Sequence, residues 1–355
     1  MSIGYVAVQW NRHKRIYDGI VVGSIILYLG MFVFVGKLLY RGAHAISDEV
    51  MALRALGSCA FLMLTFVLCI GPLARIDRRF LPVLYNRRHL GVATFVVAFL
   101  HGLLATGYYH GFGRINPLLS LIATNTNFTS LRAFPFQLLG AGALFILFLM
   151  AATSHDFWNR NLSARTWKWL HMMVYPAYGL VVLHVTLGAL QTQRSWWLGS
   201  AVLLGVGAVA LLHRLSDRKG AGVDRGRPSV ERDDATWLDA GTVEEIEEGR
   251  GRAVCAPGGE RIAVFRNAGS VSAIANVCAH QGGPLAEGKI IDGCVTCPWH
   301  GWTYRPEDGQ APPPFTEKIP THRVRLEGRR ILVDLRPLPP GTAVPPARFE
   351  GSIDA

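Results

Sequence analysis

Six apolar runs, each close to the ~20 residues a helix needs to cross a bilayer, crowd the first 215 positions of the chain. They are Gly19 to Tyr40, Leu53 to Leu73, His89 to Tyr109, Phe136 to Thr153, Trp169 to Ala189 and Trp196 to Leu212. A water-soluble core could bury one or two such segments but not six, and 50% of all residues are hydrophobic. Backbone N–H and C=O groups must be paired inside lipid, so each run is expected to be an α-helix. The first run is too long for a removable signal peptide and has no small-residue cleavage site, so it is expected to stay as an anchor.

The charge distribution supports the same reading. Up to Leu215 there are 18 Lys+Arg against 5 Asp+Glu, whereas the remaining 140 residues carry 18 against 20. The net charge of +11 therefore arises in the apolar half. It reports membrane topology and excludes nucleic acid as the expected partner. Fourteen cations fall in alternate connections and the termini: Arg12, Lys14, Arg15, Arg75, Arg78, Arg79, Arg87, Arg88, Arg160, Arg165, Lys168, Arg214, Arg218 and Lys219. The opposite side has six: Lys37, Arg41, Arg54, Arg114, Arg132 and Arg194. With an even number of spans, both termini are expected on the richer, cytoplasmic side of an inner (plasma) membrane.

Beyond the apolar runs, Ser216 to Asp234 is rich in Gly, Arg and Asp and reads as a linker. Short apolar segments punctuated by glycine follow, such as Arg261-Ile262-Ala263-Val264-Phe265 and Ile331-Leu332-Val333-Asp334-Leu335. They predict a small antiparallel β domain over 235–336. Residues 337–355, rich in proline, are expected to be disordered. The expected fold class is a membrane all-α six-helix bundle over 15–215 followed by an all-β domain. No internal repeat and no glycine-rich phosphate loop occurs.

Two motifs in the β domain carry chemistry: Cys278-Ala279-His280 and, sixteen residues later, Cys297-Pro298-Trp299-His300. A Rieske [2Fe-2S] centre needs two thiolates on one iron and two imidazoles on the other, so each arm must supply one ligand of each kind. Both arms do. A structural zinc site also accepts two Cys and two His, but its spacings usually pair like with like. The setting resembles the Rieske family in Gly282-Gly283-Pro284-Leu285 and Gly301-Trp302-Thr303-Tyr304 as well. Quinol-oxidising Rieske proteins carry an extra cysteine in each arm, which is missing here. The pattern resembles instead the ferredoxin and ring-hydroxylating-oxygenase kind, which implies a potential on the order of −150 mV. Beyond the motif only His322 remains, in too short a stretch for the second metal site of an oxygenase. Cys59, Cys69, Cys255 and Cys294 form no disulfide framework.

Histidine inside a membrane span is costly and by default functional. His101 lies in the third run, and His171 and His184 lie in the fifth, which runs in the same direction. Imidazoles from two helices at similar depth point to a b-type heme with two axial histidines. Here the sequence resembles the ferric-reductase-like transmembrane family, which includes the heme-binding membrane subunit of periplasmic methionine sulfoxide reductase. The matching residues are Arg54-Ala55-Leu56-Gly57, Gly71-Pro72-Leu73, Arg87-Arg88-His89-Leu90-Gly91 leading to His101, Ala152-Thr153-Ser154, and Trp167-Lys168-Trp169-Leu170-His171 leading to His184.

The resemblance implies an outer heme on His101 and His184, and His171 as an inner-heme ligand. The usual inner partner is replaced by Arg87. His89, twelve residues and about 18 Å along a helix from His101, could stand in, since His171 and His184 are separated by about 19.5 Å. One heme is expected, and a second would need His171 and His89. Arg54 could meet a heme propionate or snorkel to the interface, and His110 reads as a solvated loop histidine.

The expected function is transmembrane electron transfer from a cytoplasmic donor, through the Rieske cluster and heme, to an extracytoplasmic acceptor. That acceptor would be a periplasmic reductase subunit, a ferric chelate or oxygen. Reverse flow from quinol to a cytoplasmic oxygenase is one alternative. A membrane-tethered Rieske ferredoxin or redox sensor without heme is another.

Overall fold

The computed structural model describes residues 12–42, 45–155, 158, 162–193, 196–224, 228–232, 235–280, 282–299 and 301–349. Two compact units emerge. Among the described residues, those up to Pro72 together with Asn86–His213 form one, and Leu73–Tyr85 with the residues from Arg214 onward form the other.

The helices are α1 Arg12–Leu39, α2 Asp48–Ile76, α3 Leu81–Tyr85, α4 Arg87–His110, α5 Pro117–Ala123, α6 Phe136–Thr153, α7 Ala164–Met172, α8 Val174–Val185 and α9 Trp196–Asp224. Six helical stretches are long and apolar enough to cross a membrane, matching the six runs read from sequence. Ile20, Ile26, Leu27 and Phe34 of α1 and Leu203 and Leu204 of α9 are exposed. Apolar surface of that extent is untenable in water and natural against lipid. The helices meet around Phe61, Leu64, Leu68, Leu147, Ala177, Tyr178 and Val202. There the Phe61 and Tyr178 rings stack, and the Tyr178 hydroxyl lies 3.0 Å from Thr65 Oγ1.

The fifth span is broken between α7 and α8, where Met173 N donates to Leu170 O at 3.1 Å. Pro176 is the cause. It has no N–H for the Met172 carbonyl four residues back, and its ring crowds that carbonyl. The same span ends in a π-helical turn, Thr186–Leu190, which starts two residues after His184. Such turns insert one residue and re-aim neighbouring side chains.

The strands are β1 Ser229–Arg232, β2 Ala235–Thr242, β3 Arg250–Cys255, β4 Arg261–Asn267, β5 Ser270–Ala275, β6 Lys289–Ile291, β7 Cys294–Thr296, β8 Thr303–Tyr304, β9 Thr321–His322, β10 Val324–Glu327, β11 Arg330–Asp334 and β12 Ala347–Arg348. One sheet has the order β1-β2-β11-β10, and the other β12-β5-β4-β3-β6-β7-β8 with β9 against β5, all antiparallel. The run Ile262-Ala263-Val264-Phe265 explains the layering. Side chains alternate across a strand, so Ile262 and Val264 join Leu238, Val271, Ile331 and Val333 in a core between the sheets. Ala263 and Phe265 point the other way, into a second core with Cys278, Leu285, Val295, Cys297 and Tyr304. That second core lies under the loops that carry Cys278 and Cys297.

Two sequence expectations need correction. The stretch read as linker over 216–234 is helical up to Asp224 and holds strand β1, because Ser229–Arg232 pairs in register with Leu238–Ala235. The proline-rich tail is ordered up to Phe349. Leu338 N donates to Thr321 O, Val344 N to Glu307 O and Phe349 N to Gly269 O, and β12 pairs with β5. Proline removes donors but not acceptors, and the residues between the prolines supply the missing N–H groups. Residues 350–355 lie outside the described residues.

Candidate metal centres

The two cysteine arms are one turn built twice. Gly282 N donates to Cys278 O at 2.7 Å and Gly301 N to Cys297 O at 3.0 Å. In return, Cys278 N donates to Gly283 O at 2.9 Å and Cys297 N to Trp302 O at 2.7 Å. Gly282 and Gly301 have φ of 73° and 72°, left-handed values that glycine adopts without a Cβ clash. The first arm leaves β5, and the second runs from β7 to β8. β7 is set by the Asp292-Gly293 turn of the β6–β7 hairpin, both residues at positive φ.

Cys278 and Cys297 are 2% and 1% exposed. The Tyr304 hydroxyl lies 3.3 Å from Cys278 Sγ and accepts from Ala279 N at 3.1 Å, which leaves its own proton free to point at the sulfur. Burial, and next the Cys278 sulfur, push the Tyr304 phenol upward, so it remains a donor. A Cβ at Gly283 would sit 2.7 Å from Cys297 Sγ, so only glycine lets the first arm close on the second cysteine. The His280 ring lies flat on Trp302, centroids 4.4 Å apart at 4°, and its Nδ1 is buried. His300 lies outside the described residues. Two buried thiols and an imidazole on facing loops, with a hydroxyl donor to one sulfur, suit an iron–sulfur cluster. His322 is not brought to this site. It is buried on β9, and its Nδ1 donates to Asp334 O at 2.9 Å.

In the membrane unit the structure brings His101 and His184 together. Their ring centroids are 6.3 Å apart at 80°. Each Nδ1 donates to a carbonyl on another helix or its entry: His101 to Leu53 O at 3.1 Å, and His184 to Phe136 O at 2.9 Å. That fixes the tautomer and leaves both Nε2 lone pairs available to a metal. A 6.3 Å separation accommodates one ion between two imidazoles at bonds of about 2 Å. Glycines make the approach possible, since a Cβ at Gly57 would lie 2.9 Å from His101 Cε1 and one at Gly140 2.8 Å from His184 Nδ1. Beside Leu53, Arg54 has a buried Nε with no hydrogen-bond partner among the described residues, while its guanidinium lies 5.8 Å from the Tyr40 ring centroid. A buried cationic donor beside a bis-histidine pair fits the propionate of a heme.

His171 and His89 are held separately. The His171 ring stacks on Trp167 at 3.8 Å, its Nδ1 donates to Trp167 O at 3.0 Å, and its Nε2 lies 3.4 Å from Ser154 Oγ. His89 Nδ1 bonds both carboxylate oxygens of Asp18 on α1, at 2.8 and 3.0 Å. His110 is half-buried rather than solvated, with Nδ1 2.9 Å from Ser120 Oγ and Nε2 3.1 Å from Gln137 Oε1.

Sequence reasoning missed Asp18, Gly140, Phe136 and Leu53. The two carbonyl acceptors carry no side-chain signal, and Gly140 looks like any small residue in a span. Asp18 was visible as an acidic residue at the edge of an apolar run.

Residues 56–182 match the family described as ferric reductase like transmembrane component, and residues 236–323 match the Rieske [2Fe-2S] domain. The ferredoxin component of the naphthalene 1,2-dioxygenase system of Pseudomonas aeruginosa is 32% identical over 100 residues, 28% of this chain and 95% of that protein. The ferredoxin component of the alkene monooxygenase system of Xanthobacter autotrophicus is 29% identical over 113 residues, 32% of this chain and 92% of that protein. Cholesterol 7-desaturase nvd of Xenopus laevis is 38% identical over 90 residues, 24% of this chain and 18% of that protein, so the chain spans less than a fifth of the desaturase. The chain is thus a multi-pass membrane protein in which a ferric-reductase-like transmembrane domain is fused to a Rieske [2Fe-2S] domain.

Proposed function

We propose that this chain is an inner-membrane electron conduit, taking electrons from a cytoplasmic donor at its Rieske domain and delivering them to an extracytoplasmic acceptor. The observation that carries the reading is the facing pair His101 and His184, each with Nδ1 tied to a backbone carbonyl. When bound, a [2Fe-2S] cluster and a b-type heme each supply a one-electron site, and no acid, base or nucleophile is required. Cys278, Cys297, His280 and His300 would hold the cluster, with the Tyr304 hydroxyl placed to donate to the Cys278 thiolate. His101 and His184 would hold the heme, and Arg54 would pair with a propionate. His171 is a candidate ligand for a second, inner heme, while His89 is held by Asp18 on α1.

The cation-rich connections support a cytoplasmic position for both termini and the Rieske domain, and the arms without extra cysteines favour a low-potential cluster. The acceptor would be a reductase subunit, a ferric chelate or oxygen. The test is inside-out membrane vesicles loaded with ferricyanide and given an impermeant reductant outside. Reduction of the enclosed ferricyanide that is lost in His101→Ala supports the conduit, and reduction that persists contradicts it.

A second reading is favoured by the names of two relatives, both ferredoxin components of oxygenase systems. Electrons would then run from quinol through the membrane domain to a cytoplasmic oxygenase. A heme potential well below that of the cluster supports this direction, and the opposite order supports the first.

A further inference from the structure

We infer that Trp302 is a positioning residue for His280. It would hold the imidazole of one arm from the other arm and keep water off one face of that ligand. The inference rests on the reading that the two arms hold a cluster.

Trp302 belongs to the second arm, where its carbonyl accepts from Cys297 N and closes the turn. Its side chain crosses to the first arm and lies parallel to His280, at 4.4 Å and 4°. The second arm's Trp299 packs on the same first arm at Gly283, where a Cβ would come within 3.2 Å of the Trp299 ring. The first arm is therefore braced by two aromatic rings of the second. The brace has a backing, because Phe315 packs on Trp302 with centroids 4.4 Å apart at 54°. Phe315 is 38% exposed, so the stack His280, Trp302, Phe315 runs from the ligand to the surface.

His280 needs such support. It lies in a loop two residues before the left-handed Gly282, outside any strand. A flat ring against a flat ring restricts rotation of the imidazole and excludes water from the covered face. Solvent exposure helps set the potential of an iron–sulfur cluster, and better hydration favours the more negative, reduced form. Stripping the brace should therefore raise the potential and loosen the ligand. Trp302 Nε1 is buried with no hydrogen-bond partner among the described residues. The ring is thus held by its faces, and phenylalanine can replace it without losing a hydrogen bond.

The test compares the full chain in detergent with Trp302→Ala and Trp302→Phe. Three quantities are read: the g-values of the reduced cluster, its potential by paramagnetic-resonance-monitored titration, and the rate of iron release to a chelator. Trp302→Ala is expected to shift the g-values, raise the potential and weaken cluster retention about tenfold, the usual scale for a lost outer-shell contact. Trp302→Phe should restore all three toward wild type. Wild-type values in Trp302→Ala would overturn the inference, as would a Trp302→Phe variant as impaired as the alanine. If the alanine variant does not fold, Trp302→Leu against Trp302→Phe makes the same comparison, and equal potentials contradict the proposal. A wild-type chain without a Rieske signal would instead remove the reading beneath it.

Discussion

The imidazoles of His101 and His184 stand 6.3 Å apart at 80°, and each is aimed by a hydrogen bond from Nδ1 to a carbonyl that belongs to neither histidine's helix. Where larger residues would have closed this gap, α2 and α6 present Gly57 and Gly140 to the two rings.

Those glycines are the most sensitive positions around the pair. Gly140→Ala would place a Cβ 2.8 Å from His184 Nδ1, where overpacking costs about 1–3 kcal/mol. The expected outcome is a clear fall in Soret absorbance per chain. Gly71→Ala, with nothing within 4 Å, serves as the control and should keep its heme.

Tyr304→Phe removes the hydroxyl 3.3 Å from Cys278 Sγ. A donor to a thiolate stabilises the reduced, more negative cluster, so its loss should lower the potential. A hydrogen bond of ~1 kcal/mol corresponds to a shift on the order of 50 mV for one electron. Titration of the Rieske signal checks both sign and size.

Gly283→Ala should be worse for the cluster than for the fold. Its Cβ would meet Cys297 Sγ at 2.7 Å, while the core between the sheets, around Leu238, Ile262 and Val264, is untouched. Circular dichroism close to wild type with iron content reduced several-fold is the expected result.

His322 gives the Rieske domain an acid-sensitive step. Burial lowers its pKa against the weaker opposing pulls of the Asp334 carbonyl bond and the Glu260 and Asp334 carboxylates. The unfolded chain therefore binds a proton more readily than the folded one. Stability is then lost as pH falls below the ordinary histidine value of about 6.5, by at most about 1.4 kcal/mol per pH unit. Chemical denaturation between pH 5 and pH 7, roughly the window of that titration, should show a shallower slope in His322→Gln.

Much of this was legible in the chain because periodicity and ligand spacing are carried by side chains. The six apolar runs gave six helices, and the mixed Cys and His arms gave two matching turns. The linker and tail were misread for one physical reason: composition reports how little a segment can bury, not whether a neighbouring edge offers hydrogen bonds. Ser229–Arg232 found β2, and Ala347–Arg348 found β5. The carbonyls of Leu53 and Phe136 were beyond reading, since every residue has one and only the fold says which is near a histidine. Pro176 was different. Its kink follows from its missing N–H, and the break at Met173 is where that rule puts it.

The central claim is that His101 and His184 hold a heme. The most direct measurement is the dithionite-reduced minus oxidised visible spectrum of the detergent-purified chain, recorded beside His101→Ala and His184→Ala. The account expects a b-type α band and a strong Soret change in the wild type, absent or reduced several-fold in either variant. Broad Rieske absorbance alone in the wild type, or a Soret band unchanged in both variants, would contradict it.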